Sequence, residues 1–227
     1  MPLAISHKPF IVVANFKSNK SLAEAKTWLD SVSPSPNTVI APSFPHLSTI
    51  HDLQPTISLA AQDVSPYPPG SYTGAVNASQ LKELGVTYCI VGHSERRHYF
   101  HETASDVAGK VRELLSVGIT PIVCLEQKDI APQFAALDDE YYDKCIYCFE
   151  PMGDIGGVTT ADAGEITSVR SEILKFVPNA QFMYGGSVNK DNIQSLLALN
   201  LVGVLVATAS LDPQEYKAIV EKIAHEA

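Results

Sequence analysis

The sequence predicts an α/β protein, a single closed (β/α)8 barrel spanning residues 1–227. Two observations predict it. Eight short apolar runs alternate with amphipathic stretches from end to end, and no shift in composition marks a domain boundary. Eight βα units in 227 residues match the chain length that such a barrel needs. A doubly wound open sheet, the runner-up, also alternates strands and helices but uses fewer strands or more chain.

The eight runs are Phe10–Lys17, Thr38–Phe44, Ser58–Val64, Thr87–His93, Thr120–Glu126, Cys145–Glu150, Gln181–Ser187 and Leu201–Ala209. Their Val, Ile, Ala and Cys content suits parallel strands buried on both faces. Helix starts stand between them. Ser21-x-x-Glu24 reads as a capping box, and Asn189 and Asp212 read as N-caps before Ile193-Leu196-Leu197 and Tyr216-Ile219-Val220. Three segments break the rhythm. Ser65–Gly74 is rich in proline and is expected to project stiffly, as an interface loop does. Glu150–Gly157 combines a stiff start with a glycine tip, which suits a lid. Only Gln127–Lys144 separates the fifth run from the sixth.

A hydrophobic content of 45% allows a large core, and a formal charge of -9 argues against nucleic acid or an anionic membrane as partner. An anionic substrate therefore needs a local positive site. The first residues lack the charged start and apolar stretch of a signal peptide, and no apolar run approaches the roughly 20 residues that span a bilayer, so a cytoplasmic location is expected. Cys89, Cys124, Cys145 and Cys148 lie in or beside apolar runs and are expected to be reduced core thiols. Cys145 and Cys148 have C-x-x-C spacing, but on an extended strand they point to opposite faces.

Chemistry gathers where the runs end. Gly92-His93-Ser94-Glu95-Arg96-Arg97 follows a buried strand directly, and so many polar groups there make an expensive plain turn. In a barrel, Asn15 and Lys17, His93 and Glu95, Glu150, and Gly185-Gly186-Ser187 converge on one mouth. A lysine, a histidine and a glutamate from three strands supply a cation, an electrophile and a base, the parts that move a proton beside a carbonyl. The turn at Gly185–Ser187 and the end of the eighth run, through Ala207 and Thr208, stand where barrels bind phosphate through backbone N–H groups. Plainer readings stand beside these. Lys17 and Glu95 also suit a buried ion pair, Gly185-Gly186-Ser187 suits a simple tight turn, and His98-x-x-His101-Glu102 suits a solvated helix start better than a metal site.

The chain resembles the triosephosphate isomerase family over nearly its whole length. The resemblance rests on Ala14-Asn15-Phe16-Lys17, Gln62 to Tyr67, Tyr72-Thr73-Gly74, Gly92 to Arg97, Phe149-Glu150-Pro151, Ile155-Gly156, Tyr184 to Val188 and Gly203 to Val206. It implies a TIM barrel that interconverts dihydroxyacetone phosphate and D-glyceraldehyde 3-phosphate through an enediolate, in glycolysis and gluconeogenesis, with no metal and no cofactor. By the same resemblance, Glu150 is the base and proton shuttle, and His93 polarises the carbonyl as a neutral imidazole. Lys17 offsets negative charge, Asn15 donates a hydrogen bond, and Glu95 orients the Lys17 and His93 side. Phosphate rests on the N–H groups of Gly156, Ser187, Ala207 and Thr208. A homodimer is implied through the 65–74 loop, with Thr73 reaching the other subunit's site.

The chain departs from the family pattern at four places. Gly153, followed by Asp154, stands where the lid carries a bulky aromatic, and the lid is about two residues shorter between Gly156 and Thr160. Ala207-Thr208 replaces a pair of glycines. Either the backbone keeps negative φ there and still donates its N–H groups, or the Thr208 hydroxyl takes part. Ala75 replaces a glutamate, which removes one polar interface contact, and the segment after the fifth run is short. Two other functions compete: a barrel that binds phosphorylated metabolites with little activity, and an enzyme with elevated methylglyoxal formation.

Overall fold

The fold was analysed in a computed structural model, which describes residues 10–33, 35–151 and 162–224. Eight parallel strands close a barrel in sequence order: β1 (Ile11–Asn15), β2 (Thr38–Ala41), β3 (Ser58–Ala61), β4 (Val86–Val91), β5 (Thr120–Leu125), β6 (Ile146–Phe149), β7 (Gln181–Tyr184) and β8 (Gly203–Val206). Each falls on one of the eight apolar runs, with β4 starting one residue before its run, at Val86. The strands stop short of the polar ends of the runs, although Glu150 and Gly185 still donate their N–H groups to the neighbouring strand, to Leu125 and Phe149 at 2.9 Å. β1 pairs with β8 from Ile11↔Gly203 to Ala14↔Val206, and this seam completes the ring. A Cβ on Gly203 would run into the Ile11 carbonyl oxygen, so the seam demands glycine there.

Alternation along the strands divides the core into two shells. Ile11, Val13, Val39, Ala41, Ala60, Ile90, Ile122, Cys124, Ile146, Cys148, Met183 and Leu205 fill the barrel interior. Their neighbours Val12, Ala14, Val91, Val123, Tyr147, Phe149, Tyr184 and Val206 face the helices. Cys145 lies in the outer shell and Cys148 in the inner one, so the C-x-x-C spacing brings no pair together. All four cysteines are buried free thiols.

Around the barrel run α1 (Leu22–Ser31), α2 (Leu47–Leu53), α3 (Ala78–Glu83), α4 (Ser94–Tyr99), α5 (Ala104–Ser116), α6 (Ile130–Ala136), α7 (Ala163–Leu174), α8 (Ile193–Leu197) and α9 (Pro213–Ala224). The capping box at Ser21 and Glu24 forms in both directions. Asp212 accepts the N–H of Gln214 at 2.8 Å ahead of Pro213, which suits the first position of a helix. Asn189 differs from its expected place. α8 begins later, after Asn192, and the Asn189 side chain instead takes the N–H groups of Asp191 (2.9 Å) and Asn192 (3.1 Å) in the turn before it. The short stretch after β5 holds α6 between two 3-10 turns, Gln127–Asp129 and Asp139–Lys144.

The 65–74 loop is pinned at its root by Ser65 N–H donating to the Val76 carbonyl at 2.8 Å. Beyond the root it stands out from the barrel, exposed from Tyr67 to Gly74, with the rings of Tyr67 and Tyr72 stacked at 4.6 Å. On the far side of β1, Trp28 of α1 packs between Phe16 and Tyr216 of α9. Its indole N–H donates to the Ser210 carbonyl at 2.8 Å, and the Tyr216 hydroxyl donates to the Val12 carbonyl at 2.7 Å. These contacts lock the end of β8 to the first helix.

Candidate active site

The interior shell aims most of the site. Counting in twos from Ile11 and Val13 puts Asn15 and then Lys17 over the mouth, and counting from Ile146 and Cys148 puts Glu150 there. His93 breaks the count. Ile90 faces inward and Val91 outward, so an extended strand would send residue 93 outward as well. Gly92 adopts φ 67 and resets the direction, turning His93 into the N-cap of α4.

Lys17 is held in the left-handed region, φ 49, a cost of about 1–3 kcal/mol for a residue with a side chain. The surroundings over-determine it. Its N–H donates to Asn15 Oδ1 at 3.0 Å, and Gln62 Nε2 donates to its carbonyl at 2.9 Å and to that of Ala41 at 2.8 Å. The Lys17 ammonium meets Glu95 Oε1 at 2.6 Å. The two side chains do form an ion pair, but not a buried one, since they are 20% and 36% exposed, and the pair sits beside His93.

His93 is buried, and its Nδ1 accepts the backbone N–H of Glu95 at 3.2 Å. A ring nitrogen that accepts carries no proton, so this bond assigns the neutral tautomer with hydrogen on Nε2. Nε2 lies 3.1 Å from Glu150 Oε1, within range to donate. The Glu95 carboxylate stands 3.7 Å from Nδ1, too far for a hydrogen bond, so its grip on the ring runs through its own backbone. Glu150 is 1% exposed, and its second oxygen accepts the Ser94 N–H at 3.0 Å. The carboxylate thus rests against the start of α4 with both oxygens engaged. The Ser94 hydroxyl beside it is buried without a partner among the described residues.

Across the mouth, Gly185 and Gly186 serve space. A Cβ on Gly185 would come 3.0 Å from Cys148 Sγ and 3.3 Å from Glu150 Cγ, and one on Gly186 would come 2.7 Å from Pro151 Cγ. Ser187 takes φ 43, and its carbonyl accepts the Asn192 side-chain amide at 2.9 Å. At the end of β8, Ala207 has φ −99 and Thr208–Ser210 form one 3-10 turn. The backbone keeps negative φ at this corner, as the first of the two alternatives requires. Ser210 closes the turn, its hydroxyl donating to the Ala207 carbonyl at 2.6 Å.

Asn15, Lys17, His93, Glu95 and Glu150 therefore come together at one mouth, with Ser187, Ala207 and Thr208 on the turns after β7 and β8. Gly156, together with Gly153 and Asp154 of the lid, lies outside the described residues. Thr73 lies apart, exposed on the 65–74 loop.

A family model described as triosephosphate isomerase matches residues 10–223. The chain belongs to the triosephosphate isomerase family. Membership makes it an isomerase of triose phosphates. The chain is 34% identical to the triosephosphate isomerase of Polynucleobacter asymbioticus, over 94% of this chain and 99% of that one. It is 33% identical to that of Colwellia psychrerythraea, over 92% and 95%, and 32% identical to that of Thermus thermophilus, over 92% and 97%. The first of these alignments runs over 251 positions, more than the 227 residues here, so this chain is gapped against its triosephosphate isomerase relative.

Sequence reasoning left several supports of this candidate site unassigned. Gln62 braces Lys17; it stands in one of the motifs that carry the resemblance and is a polar residue at the end of a buried strand, but neither signal assigns it that role. Ser94 contributes a backbone N–H, which no residue type announces. Arg97, which the sequence leaves as structural or interfacial, donates within the chain to the Gly92 carbonyl at 2.8 Å and to Gln133 Oε1 at 2.8 Å. The solvated-helix reading of His98-x-x-His101-Glu102 holds for the two exposed histidines but not for Glu102, whose side chain is only 3% exposed.

Proposed function

We propose that Glu150 is the base and proton shuttle in the interconversion of dihydroxyacetone phosphate and D-glyceraldehyde 3-phosphate through an enediolate. The observation that carries this reading is the Glu150 carboxylate, buried and 3.1 Å from the Nε2 of a neutral His93. A carbonyl oxygen arriving at the mouth competes for the Nε2–H. Once it takes that hydrogen bond, Glu150 leaves His93 and the Ser94 N–H, and both its oxygens become free to accept a proton. The base removes a proton from the carbon beside the carbonyl, and the electron pair moves onto oxygen as the enediolate. His93 Nε2–H and the Lys17 ammonium stabilise that oxygen. A proton passes from the neighbouring hydroxyl to the former carbonyl oxygen by way of His93 Nε2, Glu150 returns the carbon-bound proton to the former carbonyl carbon, and the electron pair released at the neighbouring oxygen forms the new carbonyl, with no cofactor required.

Asn15 donates to the bound substrate, and Glu95 orients Lys17 through the 2.6 Å pair and His93 through its backbone N–H. The phosphate rests on N–H groups of Gly156, Ser187, Ala207 and Thr208. These turns lend a positive spot to a chain of net charge -9. The catalytic unit is a single domain over 1–227. Two copies pair through the 65–74 loop, with Thr73 reaching towards the partner's Asn15 and the partner's His93. The exposed, stacked Tyr67 and Tyr72 support a docking role for that loop. Among the described residues no helix is long and apolar enough to cross a membrane, and we place the enzyme in the cytoplasm.

The test is a coupled assay of glyceraldehyde 3-phosphate isomerisation with wild type and Glu150→Asp. Shortening the side chain withdraws the carboxylate by about 1 Å, which costs on the order of a hundredfold in kcat. An unchanged kcat removes Glu150 from the role of base.

A further inference from the structure

Four charged side chains meet beneath the root of the 65–74 loop. Lys110 Nζ lies 2.6 Å from Asp63 Oδ1 and 2.7 Å from Glu102 Oε2. Arg96 reaches the same two carboxylates, at 2.8 Å to Asp63 and 2.7 Å to Glu102. The side chains of Glu102 and Lys110 are 3% and 4% exposed, so water does little to screen them. Two anions and two cations balance, which makes the group tolerable in the interior.

Glu102 has one oxygen left over. Both cations hold Oε2, while Oε1 accepts the backbone N–H of Gly92 at 3.2 Å. Arg97 grips the other end of the same residue, donating to the Gly92 carbonyl at 2.8 Å. Gly92 is the left-handed turn, φ 67, that redirects the chain from β4 so that His93 faces the mouth. A carboxylate fixed by two cations is a stiff acceptor, so even at 3.2 Å it gives the Gly92 N–H one defined partner in the interior.

We propose that Glu102 is the positioning residue of His93, fixing the turn at Gly92 and through it the aim of the Nε2–H, while Asp63 ties that turn to the root of the 65–74 loop. This rests on the role given to His93 above. Glu102 touches no substrate; it acts through one peptide N–H.

Paired substitutions test it without leaving a buried charge alone. Glu102→Leu with Lys110→Met removes one anion and one cation and takes the acceptor from Gly92. Glu102→Gln with Lys110→Met keeps an oxygen there. For the Leu pair, kcat is expected to fall about tenfold to a hundredfold with KM within about threefold, since displacing a catalytic group by 1 Å has effects of this order. The Gln pair is expected to rescue kcat to within about fivefold of wild type. On a His93→Gln background the Leu pair should change kcat by less than about twofold, because residues that act as a unit are not additive. Equal kcat in the two pairs overturns the proposal, as does a loss that persists undiminished on the His93→Gln background. If His93→Gln itself leaves kcat at the wild-type level, the role of His93 falls instead, and the 15N resonance of His93 Nε2 in the two pairs still reports whether Glu102 aims the ring. The wild type supplies a measurement that needs no variant: the Gly92 amide proton should exchange slowly, and rapid exchange overturns the proposal.

Discussion

A methyl group on Gly185 would stand 3.3 Å from Cγ of Glu150. The two residues end neighbouring strands, and the space left by one receives the side chain of the other. Gly185→Ala should therefore push the carboxylate away from His93 and Ser94, with Cys148 Sγ at 3.0 Å blocking relaxation on the other side. The expected result is a kcat lower by about tenfold to a hundredfold and a nearly unchanged inhibition constant for inorganic phosphate. Steady-state kinetics with phosphate as inhibitor check it, and parallel losses in both quantities would show general damage instead.

The lid departure gives a second prediction, from the sequence alone. A glycine at 153 adds conformational freedom to the open loop, so closure costs more entropy and shields the enediolate less well. An exposed enediolate expels phosphate and leaves methylglyoxal. Gly153→Trp should lower the inorganic phosphate released per isomerisation by roughly threefold. Equal release from both proteins sinks the idea.

Thr103 and Asp106 cap α5 reciprocally, and the Thr103 hydroxyl, followed by its backbone N–H, holds the Asp106 carboxyl below its ordinary value of 3.8. A depressed acid binds fewer protons folded than unfolded. Its contribution is thus present above pH 3.8 and lost as the pH falls through the folded value. Thr103→Ala should cost about 1 kcal/mol at pH 7 and clearly less near pH 2. Urea unfolding at the two pH values measures the difference, and an equal cost at both would rule the linkage out.

Alkaline stability should depend on the buried thiols. Burial, then the charge of Asp143, pushes Cys145 from 9.0 up to about 12, and burial also raises Cys89 and Cys124 well above 9.0. Cys148 is raised too, although its hydrogen bond with Cys124 opposes the shift. Above pH 9 the unfolded chain sheds protons that the folded chain keeps, so stability falls as the pH rises. Cys145→Ala removes one such proton between pH 9 and 12, and should flatten the decline by up to about 1.4 kcal/mol per pH unit. Unfolding free energies measured across that window provide the check.

Strand order and the convergence of Asn15, Lys17 and Glu150 were legible because they depend on local periodicity, whereas His93, which breaks the count, was legible only from the polar run that follows its strand. A count in twos along a buried strand decides which side chain faces the mouth. Gln62 and Glu102 were not legible in the same way: the role of Gln62 depends on Lys17, 45 residues away, and that of Glu102 on Gly92 and Lys110, near in sequence but brought to it only by the turn after β4 and the packing of α5. Nothing in His98-x-x-His101-Glu102 separates the buried carboxylate from its exposed neighbours until α5 packs against it. The small residues at 185 and 186 read as a turn, whereas their use is the room they leave for Glu150 and Pro151. Asn189 shows the limit of boundary signals, since its side chain caps a turn and the helix starts only after Asn192.

The seam between β1 and β8 also governs the order of assembly. Ile11 pairs with Gly203, and the indole of Trp28 waits for the Ser210 carbonyl, so the first strand and helix have no neighbour on that side until the last strand exists. On a ribosome the growing chain carries an open sheet with a bare edge at β1, and contacts spanning this much sequence form slowly. The corner assigned to phosphate, at Ala207 and Thr208, is built in that last closure. A nascent chain halted before β8 is thus an inactive template for pairing with other strands, and a chaperone that shields the edge of β1 would serve this protein best during synthesis.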